Sequence, residues 1–257
     1  MHNLKSFIKK IEDDSFYYSD YEFVTNSQLG LIKRDVRTYK FLRDNPQYRV
    51  NTGAMTFGRA YHVSMLEPNE FNEKVLVFDG SSRNTKGYKA FVQDNPNAPT
   101  IILSKEYERI MRMQDVLFSY PEVGELLSSD GETEIANAWQ DDDSGVFCKG
   151  KADYRKGTTL VDLKTTGDSS IYGFSGSCRK YGYDRQAAFY SDGFGCTDFV
   201  FICQEKEAPY NVSIMYAGDD FLERGREEYK YLLHKYRRYF IDNEEEVENH
   251  LEIGTLQ

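Results

Sequence analysis

The sequence lacks the features that mark several large classes of protein. Its four cysteines show no CxxC pair and are too few for the disulfide framework of a small secreted domain. No apolar run approaches the roughly 18–20 residues that cross a bilayer, and the first residues lack the apolar segment of a signal peptide. A phosphate-binding P-loop is also missing, which argues against ATP hydrolysis. We therefore expect a cytoplasmic protein that needs no nucleotide cofactor.

Basic residues are outnumbered by acidic ones. The chain carries 32 Lys and Arg against 42 Asp and Glu, which gives a net charge of −10. This balance counts against a protein that coats DNA through non-specific counterion release. It does not exclude a nuclease, because a site that holds divalent cations must itself be acidic. An acidic exterior with a locally basic channel would favour threading of a strand over wrapping.

Aromatic residues, in contrast, are abundant. The chain has 20 Tyr and 17 Phe, and 40% of its residues are hydrophobic, which is enough for a folded core and too aromatic for disorder. It contains no internal repeat, low-complexity tract or long linker. We therefore predict one domain over residues 1–257, with a core at about 25–204 and a further strand and long helix at 211–240.

Hydrophobic periodicity and capping residues predict the order of the elements. Helices are predicted at about 28–43, 56–66, 104–120, 183–192 and 220–240, and strands at 74–78, 134–139, 146–154, 160–164, 199–204 and 211–216. Residues 82–87 are predicted to be a flexible loop, and the Glu-rich tail from Glu244 a solvated end. Without the additional elements, the order is helix, three strands, helix, strand.

The most informative segment of the chain is 149–166. It contains two short apolar runs, joined by a Gly-containing turn, which end on Asp153 and Asp162. In a hairpin these acids can occupy neighbouring positions, and Asp162 and Lys164 point to one face because side chains alternate along a strand. Two carboxylates and an ammonium group on one face suit a divalent cation and a phosphate. Taken alone, the residues also fit a solvent-facing hairpin with an exposed ion pair.

Four further segments flank this hairpin: residues 24–29, 57–68, 134–139 with Gly145 beyond, and 180–190. Together the five segments resemble the PD-(D/E)xK nuclease superfamily and, within it, the RecE-type exonucleases of phages and prophages. The resemblance covers about residues 25–204. It implies an α/β (α+β) fold of the restriction-endonuclease type, with an αβββαβ core in which helices flank a mixed central sheet.

The resemblance implies roles for the residues that match the family's motifs. The implied metal ligands are His62, Glu134, Asp153, Asp162 and the backbone carbonyl of Leu163; Glu132 remains an alternative to Glu134. Lys164 would hold the attacking water or the scissile phosphate, and Gln186 would contact the site or the DNA backbone. The predicted catalytic residues are therefore Glu134, Asp153, Asp162, Lys164 and Gln186.

The resemblance also implies the cofactor, which would be two Mg²⁺ or Mn²⁺ ions. An imidazole among the ligands favours substitution by Mn²⁺. Some relatives hold an iron–sulfur cluster on one cysteine before the core and three near the carboxyl terminus. The cysteines of this chain do not follow that pattern, so we expect buried thiols and no iron–sulfur cluster.

The expected substrate is DNA, and the expected activity is metal-dependent hydrolysis of phosphodiester bonds from duplex ends in phage recombination or DNA processing. The residues predicted to bind the substrate are Arg59, Lys151, Thr165, Arg185 and Tyr190. Two alternatives remain open: a structure-specific endonuclease on the same fold, and a non-catalytic DNA-binding subunit. The family also suggests a homo-oligomeric ring and a single-strand annealing protein as partners, with no membrane partner.

Overall fold

The computed structural model describes residues 4–247. In chain order its elements are α1 (Leu4–Ile11), α2 (Asp14–Ser19), α3 (Asn26–Arg34), α4 (Val36–Asp44), α5 (Gly53–Leu66), α6 (Phe71–Lys74), β1 (Val75–Phe78), α7 (Lys86–Asp94), β2 (Thr100–Leu103), α8 (Ser104–Leu117), α9 (Pro121–Leu126), β3 (Glu132–Gln140), β4 (Phe147–Lys156), β5 (Thr159–Thr166), α10 (Ile171–Tyr181), α11 (Tyr183–Phe194), β6 (Asp198–Glu205), β7 (Val212–Tyr216) and α12 (Asp219–Phe240). None of the described helices is long and apolar enough to span a membrane.

A five-stranded mixed sheet, in the order β3-β4-β5-β6-β7, forms the centre of the fold. The β3–β4, β4–β5 and β6–β7 pairs are antiparallel, whereas β5 and β6 are parallel. Two parallel strands need a long crossover connection, and α10 and α11 provide it. The predicted fold class is thereby confirmed: helices flank a mixed sheet whose strands β3 to β6 follow the αβββαβ order.

Alternating side chains of the sheet build two cores. Leu160, Phe199 and Phe201 pack on one face against residues of α3, α11 and α12, whereas Val161 and Ile202 pack on the other face against α5 and α8. Residues 160–163 of β5 and 199–204 of β6 are buried on both faces of the sheet, and the run of apolar residues at 199–203 of β6 is typical of such a strand. Asp162 therefore lies in the buried middle of β5, whereas Lys164 and Thr165 are only partly buried.

The structure corrects several sequence predictions. The helix predicted at 28–43 is two helices, because the carboxylate of Asp35 accepts hydrogen bonds from the amides of Arg37 and Thr38 and starts a new helix there. The predicted flexible loop at 82–87 is held at Arg83, whose guanidinium binds Glu106 at 2.7 and 2.8 Å, and it leads into α7. Helices α1, α2, α6, α7, α9 and α10 and strand β2 were not predicted.

The carboxyl-terminal region was predicted in outline. A strand and a long helix are present at Val212–Tyr216 and Asp219–Phe240, close to the predicted bounds. The predicted solvated tail begins at Glu244, and its residues from 248 onward lie outside the described range. That residues 1–257 form a single domain stays a prediction.

Candidate active site

The β4–β5 hairpin joins the two predicted acids through the backbone. The amide of Leu163 donates a hydrogen bond of 2.8 Å to Oδ2 of Asp153. Asp162, on the opposite side of the strand from Leu163, has Oδ2 2.7 Å from the ammonium nitrogen of Lys164, two residues along the same face. Gln186 of α11 donates a hydrogen bond of 2.6 Å to Oδ1 of Asp162. The hairpin thus fixes both carboxylates before any ligand binds.

Helix α5 brings His62 to this hairpin. Its ring nitrogen Nε2 lies 2.9 Å from the carbonyl oxygen of Leu163, and Nδ1 lies 3.5 Å from Oδ2 of Asp153. The preceding residue, Tyr61, lies on the buried side of the helix, and its hydroxyl donates a hydrogen bond to Oε1 of Gln204 on β6, in the protein core. This buried hydrogen bond ties α5 to the sheet, so the position of His62 is set by packing.

Glu134 reaches the site through an unusual backbone conformation. Its φ angle is +50°, in the left-handed region that residues with a Cβ rarely adopt. The β3–β4 register passes from the Thr133–Tyr154 pair to the Ile135–Ala152 pair and leaves out Glu134 opposite Asp153. Non-glycine residues held in this conformation concentrate at functional sites. Glu132, the alternative ligand, pairs with Arg155 further along the strand and is exposed.

His62, Glu134 and Asp153 together offer three ligand atoms that lie within 4.8 Å of one another. Imidazole nitrogen and carboxylate oxygen are ligands that Mn²⁺ and Mg²⁺ accept. Asp162 adds a second indication, since its buried Oδ2 receives no hydrogen bond of acceptable geometry even though the Lys164 ammonium lies near it. The residues present therefore fit a divalent cation, with Asp162 beside the three-residue cluster.

The protonation equilibria of the site reflect this crowding of acids. Burial, together with the nearby carboxylate of Asp153, raises the pKa of Glu134 to about 7. Burial also raises the pKa of Asp162 to about 6. Burial alone would lower the pKa of the Lys164 ammonium, but the carboxylates of Asp162 and Asp153 bring it to about 12. A cation among these acids would relieve their mutual repulsion.

A cleft of about 500 Å³ opens in front of His62, Glu134 and Asp153. Two of the predicted substrate-binding residues line it. Arg59 is exposed, and its guanidinium donates to Asn51 at 2.6 Å. Lys151 is mostly buried, with its ammonium 2.6 Å from Asp14 and 3.6 Å from Glu134. Both cationic side chains thus face the space that a substrate would enter.

The other three predicted substrate-binding residues lie elsewhere. Thr165 lines a smaller pocket beside Lys164. Tyr190 packs over Gly150, where an added Cβ would come within 3.1 Å of its ring, and burial near Asp162 and Asp153 raises its pKa. Tyr190 therefore lies between the carboxylates of Asp153 and Asp162 and the hydrophobic core formed with α3, α11 and α12.

Arg185 does not fit its predicted role in following DNA phosphates. Only 4% of the residue is exposed. Its guanidinium is bound to Glu228 of α12 and to Asn26 at the start of α3. Because its charge is neutralised between helices α3, α11 and α12, Arg185 stabilises their packing, and the prediction is corrected.

Sequence reasoning missed the amino-terminal wall of the cleft. Asp14 and Tyr18 of α2 line it opposite the metal-binding candidates. This segment is fixed by the fully buried Lys149, whose ammonium donates to the carbonyls of Tyr17 and Asp20 at 2.6 and 2.9 Å and to the Asp20 carboxylate at 2.9 Å. Lys149 lies in a strand with two further lysines and an arginine, so nothing in the local sequence marks it as the buried one.

The mixed sheet, with acids on β3, β4 and β5 and a lysine two residues beyond Asp162, defines a PD-(D/E)xK nuclease fold. The chain belongs to the family described as a PDDEXK-like domain of unknown function (DUF3799), whose model matches residues 36–248.

Comparison with solved structures agrees with this fold. The crystal structure of a candidate exonuclease from Eubacterium rectale superposes with a TM-score of 0.62 and 16% sequence identity, over 88% of this chain and 83% of that one. The crystal structure of SSO0001 superposes with a TM-score of only 0.30 at 12% identity, over 56% of this chain and 68% of that one. No curated protein matches the chain.

Proposed function

We propose that this protein is a divalent-metal-dependent deoxyribonuclease that hydrolyses phosphodiester bonds from duplex ends. The observation that carries the proposal is the convergence of His62, Glu134 and Asp153 within 4.8 Å, beside the Asp162–Lys164 pair. These groups come from α5, β3, β4 and β5, so four separate elements deliver them to one place. An accidental surface ion pair would not require such convergence.

The proposed ion, Mg²⁺ or Mn²⁺, would be held by His62, Glu134, Asp153 and Asp162, and when bound it supplies Lewis-acid stabilisation of the phosphate charge. Of the predicted ligands, the Leu163 carbonyl faces the imidazole of His62 at 2.9 Å and borders the same space. Gln186 orients the Asp162 carboxylate through the hydrogen bond to Oδ1. The backbone amide of Leu163 likewise holds the carboxylate of Asp153.

Lys164 is the group we assign to the reacting phosphate. Its raised pKa keeps it cationic at neutral pH, and its ammonium lies 2.7 Å from Asp162. A fixed positive charge at this position orients the attacking water or offsets charge that develops on the phosphate oxygens. Hydrolysis by water in line with the leaving oxygen requires neither a nucleotide cofactor nor a covalent intermediate on the enzyme.

Two observations favour ends over internal sites. The net charge of −10 opposes capture of internal duplex, and the cationic residues of the cleft, Arg59 and Lys151, lie inside it. The structural neighbour from Eubacterium rectale is itself described as a candidate exonuclease. The ring-shaped assembly, the annealing partner and the setting in phage recombination stay predictions.

The proposal is tested by incubating an end-labelled linear duplex and a covalently closed circle with the protein in Mg²⁺, Mn²⁺, Ca²⁺ or EDTA. We expect progressive degradation of the linear DNA with Mg²⁺ or Mn²⁺, binding without turnover in Ca²⁺, and no reaction in EDTA. Undiminished cleavage in EDTA would exclude the metal mechanism. Cleavage of the circle at the rate of the linear duplex would replace the exonuclease with the endonuclease alternative.

A pair of matched variants ties the activity to the site. Asp153→Asn removes one negative charge from the proposed metal site. Asp115→Asn removes one negative charge from the exposed face of α8, and Asp115 lines none of the cavities described. We expect the first variant to lose cleavage and the second to keep it. Equal activity in both would show that the cluster is not the active site.

A further inference from the structure

A second and smaller pocket, of about 110 Å³, adjoins the metal cluster through Lys164. Lys164 lines this pocket and not the cleft that contains His62, Glu134 and Asp153. The polar side chains around it come from the end of β5, from α10 and α11, and from the turn after β6. They include Lys164, Thr165, Ser177, Tyr181, Tyr183 and Lys206.

The pocket has two cationic side chains. The ammonium of Lys164 lies 4.8 Å from the centre of the Tyr183 ring, so it is shared between the metal side and the pocket. The backbone amide of Lys206 donates to the carbonyl of Thr166 at 3.1 Å, which fixes the start of its side chain at the pocket. Within residues 4–247 the Lys206 ammonium has no ion-pair partner, unlike Lys164 and Lys151.

The acids nearest to Lys206 and Thr166 in sequence do not neutralise this charge. Glu207, the next residue, does not line the pocket, and its carboxylate is paired with Arg109 at 2.9 Å. Neither Asp168 nor Glu205 lines the pocket. The carboxylate of Asp168 accepts a hydrogen bond from the amide of Ser170, and Glu205 accepts hydrogen bonds from Ser169 and from Asn211. A small cavity with hydroxyl donors and an unpaired ammonium is a site for an anion, because its local positive charge is not cancelled by a neighbouring acid.

We propose that this pocket is a subsite for a phosphate of the substrate strand, next to the phosphate that is cleaved. The inference rests on the proposed function, because Lys164 links the two sites. Lys206 supplies the charge, and the hydroxyls of Thr165 and Ser177 supply hydrogen-bond donors. The cavity is much smaller than the cleft of about 500 Å³, so it accepts a phosphate group and leaves the attached nucleoside outside.

The subsite is tested by the salt dependence of binding to a short fluorescent duplex, measured by anisotropy in Ca²⁺. Loss of one phosphate contact reduces the slope of log K against log salt concentration by about 0.9. We expect this reduction for Lys206→Ala and near-complete recovery for Lys206→Arg. The control, Lys105→Ala, removes an exposed lysine that lines none of the cavities described, and it should leave the slope unchanged.

The source of the phosphate is decided by comparing duplexes that carry a 5′-phosphate, a 3′-phosphate or neither. A preference of the unmodified protein for one phosphorylated end, abolished by Lys206→Ala, identifies a terminal monoester. A reduced slope on all three duplexes identifies an internal diester. Identical slopes for Lys206→Ala and the unmodified protein would overturn the subsite, and so would failure of the unmodified protein to bind DNA.

The outcomes separate this inference from the proposed function. Cleavage by a protein whose salt slope does not respond to Lys206→Ala removes the subsite and leaves the nuclease assignment intact. Binding that depends on Lys206 without any cleavage removes the nuclease assignment and keeps a phosphate site. The variant should fold, because Lys206 is partly exposed and its only hydrogen bond within residues 4–247 uses the backbone.

Discussion

The left-handed backbone at Glu134 gives a direct test of how the site is built. At φ +50° a Cβ is close to the following carbonyl oxygen, and glycine alone avoids this contact. We compare Glu134→Gly with Glu134→Ala. Both variants remove the carboxylate, and only the first also removes the Cβ. Their difference in stability therefore reports the backbone strain separately from the crowding of the acids.

The magnitude follows from two opposing effects. The left-handed conformation costs an L-residue about 1–2 kcal/mol, and glycine loses about 0.5–1 kcal/mol more backbone entropy on folding than alanine does. The Glu134→Gly protein should therefore be more stable than the Glu134→Ala protein by roughly 0.5–1 kcal/mol. At Ala136, two residues along β3 and with an ordinary negative φ, Ala136→Gly should instead destabilise by about 0.5–1 kcal/mol.

The assay is urea unfolding in EDTA, followed by circular dichroism at equilibrium for the three variants and the unmodified protein. The sign of the Gly–Ala difference should be opposite at positions 134 and 136. If glycine destabilises both positions alike, Glu134 is not strained and its conformation carries no functional meaning. In Mn²⁺, both position-134 variants should also lose the rise in melting temperature that metal binding produces in the unmodified protein.

Three further predictions concern single side chains of the described structure. Asp162→Ala should abolish cleavage and weaken metal binding in calorimetry, whereas Lys164→Ala should bind metal and DNA and lose roughly 10²-fold in rate; cleavage at the unmodified rate by Lys164→Ala would reduce the lysine to a surface charge. Lys149→Met should destabilise by about 3–5 kcal/mol in urea unfolding, because it leaves the Asp20 carboxylate without its buried partner; a loss no larger than that of Lys105→Ala would contradict this. Asp35→Ala should cost about 1 kcal/mol at neutral pH through loss of the cap on α4. Its hydrogen bonds, that with Thr38 foremost, lower the pKa of Asp35, so the cap stabilises above the ordinary Asp pKa and this contribution disappears as pH falls through the lowered value; a stability difference that does not shrink on acidification would argue against the cap.

The sequence predicted the β4–β5 hairpin and its acids because their geometry is local. Alternation along a strand places Asp162 and Lys164 on one face, and the structure has them 2.7 Å apart. The same reasoning located β3, β4, β5 and β6 within a few residues. Helix α10 escaped prediction because its sequence carries two glycines and three serines within or just before it, which are weak helix formers. Its cap at Ser170 and the packing of Phe174 decide its conformation.

The placement of Arg185 shows where local reasoning stops. It lies one residue before Gln186, on the helix that reaches Asp162. From the sequence alone, a basic residue at this position is expected to contact a DNA phosphate. Whether it reaches DNA depends on Glu228, which is 43 residues further along the chain on α12. No local pattern contains that contact. The same holds for Glu134, whose left-handed backbone is set by its neighbours across the sheet and has no signature in residues 132–140.

The parts of the molecule that bear on substrate choice lie partly outside the resemblance. The acids and Lys164 belong to β3, β4 and β5, within the segments that match the nuclease superfamily. The opposite wall of the cleft comes from α2, where Asp14 holds the ammonium of Lys151 at 2.6 Å. An incoming phosphate would have to compete with that carboxylate for Lys151. The chemistry of the site is therefore supplied by the common core, whereas access to its cationic side chain depends on an amino-terminal segment that Lys149 anchors from inside the sheet.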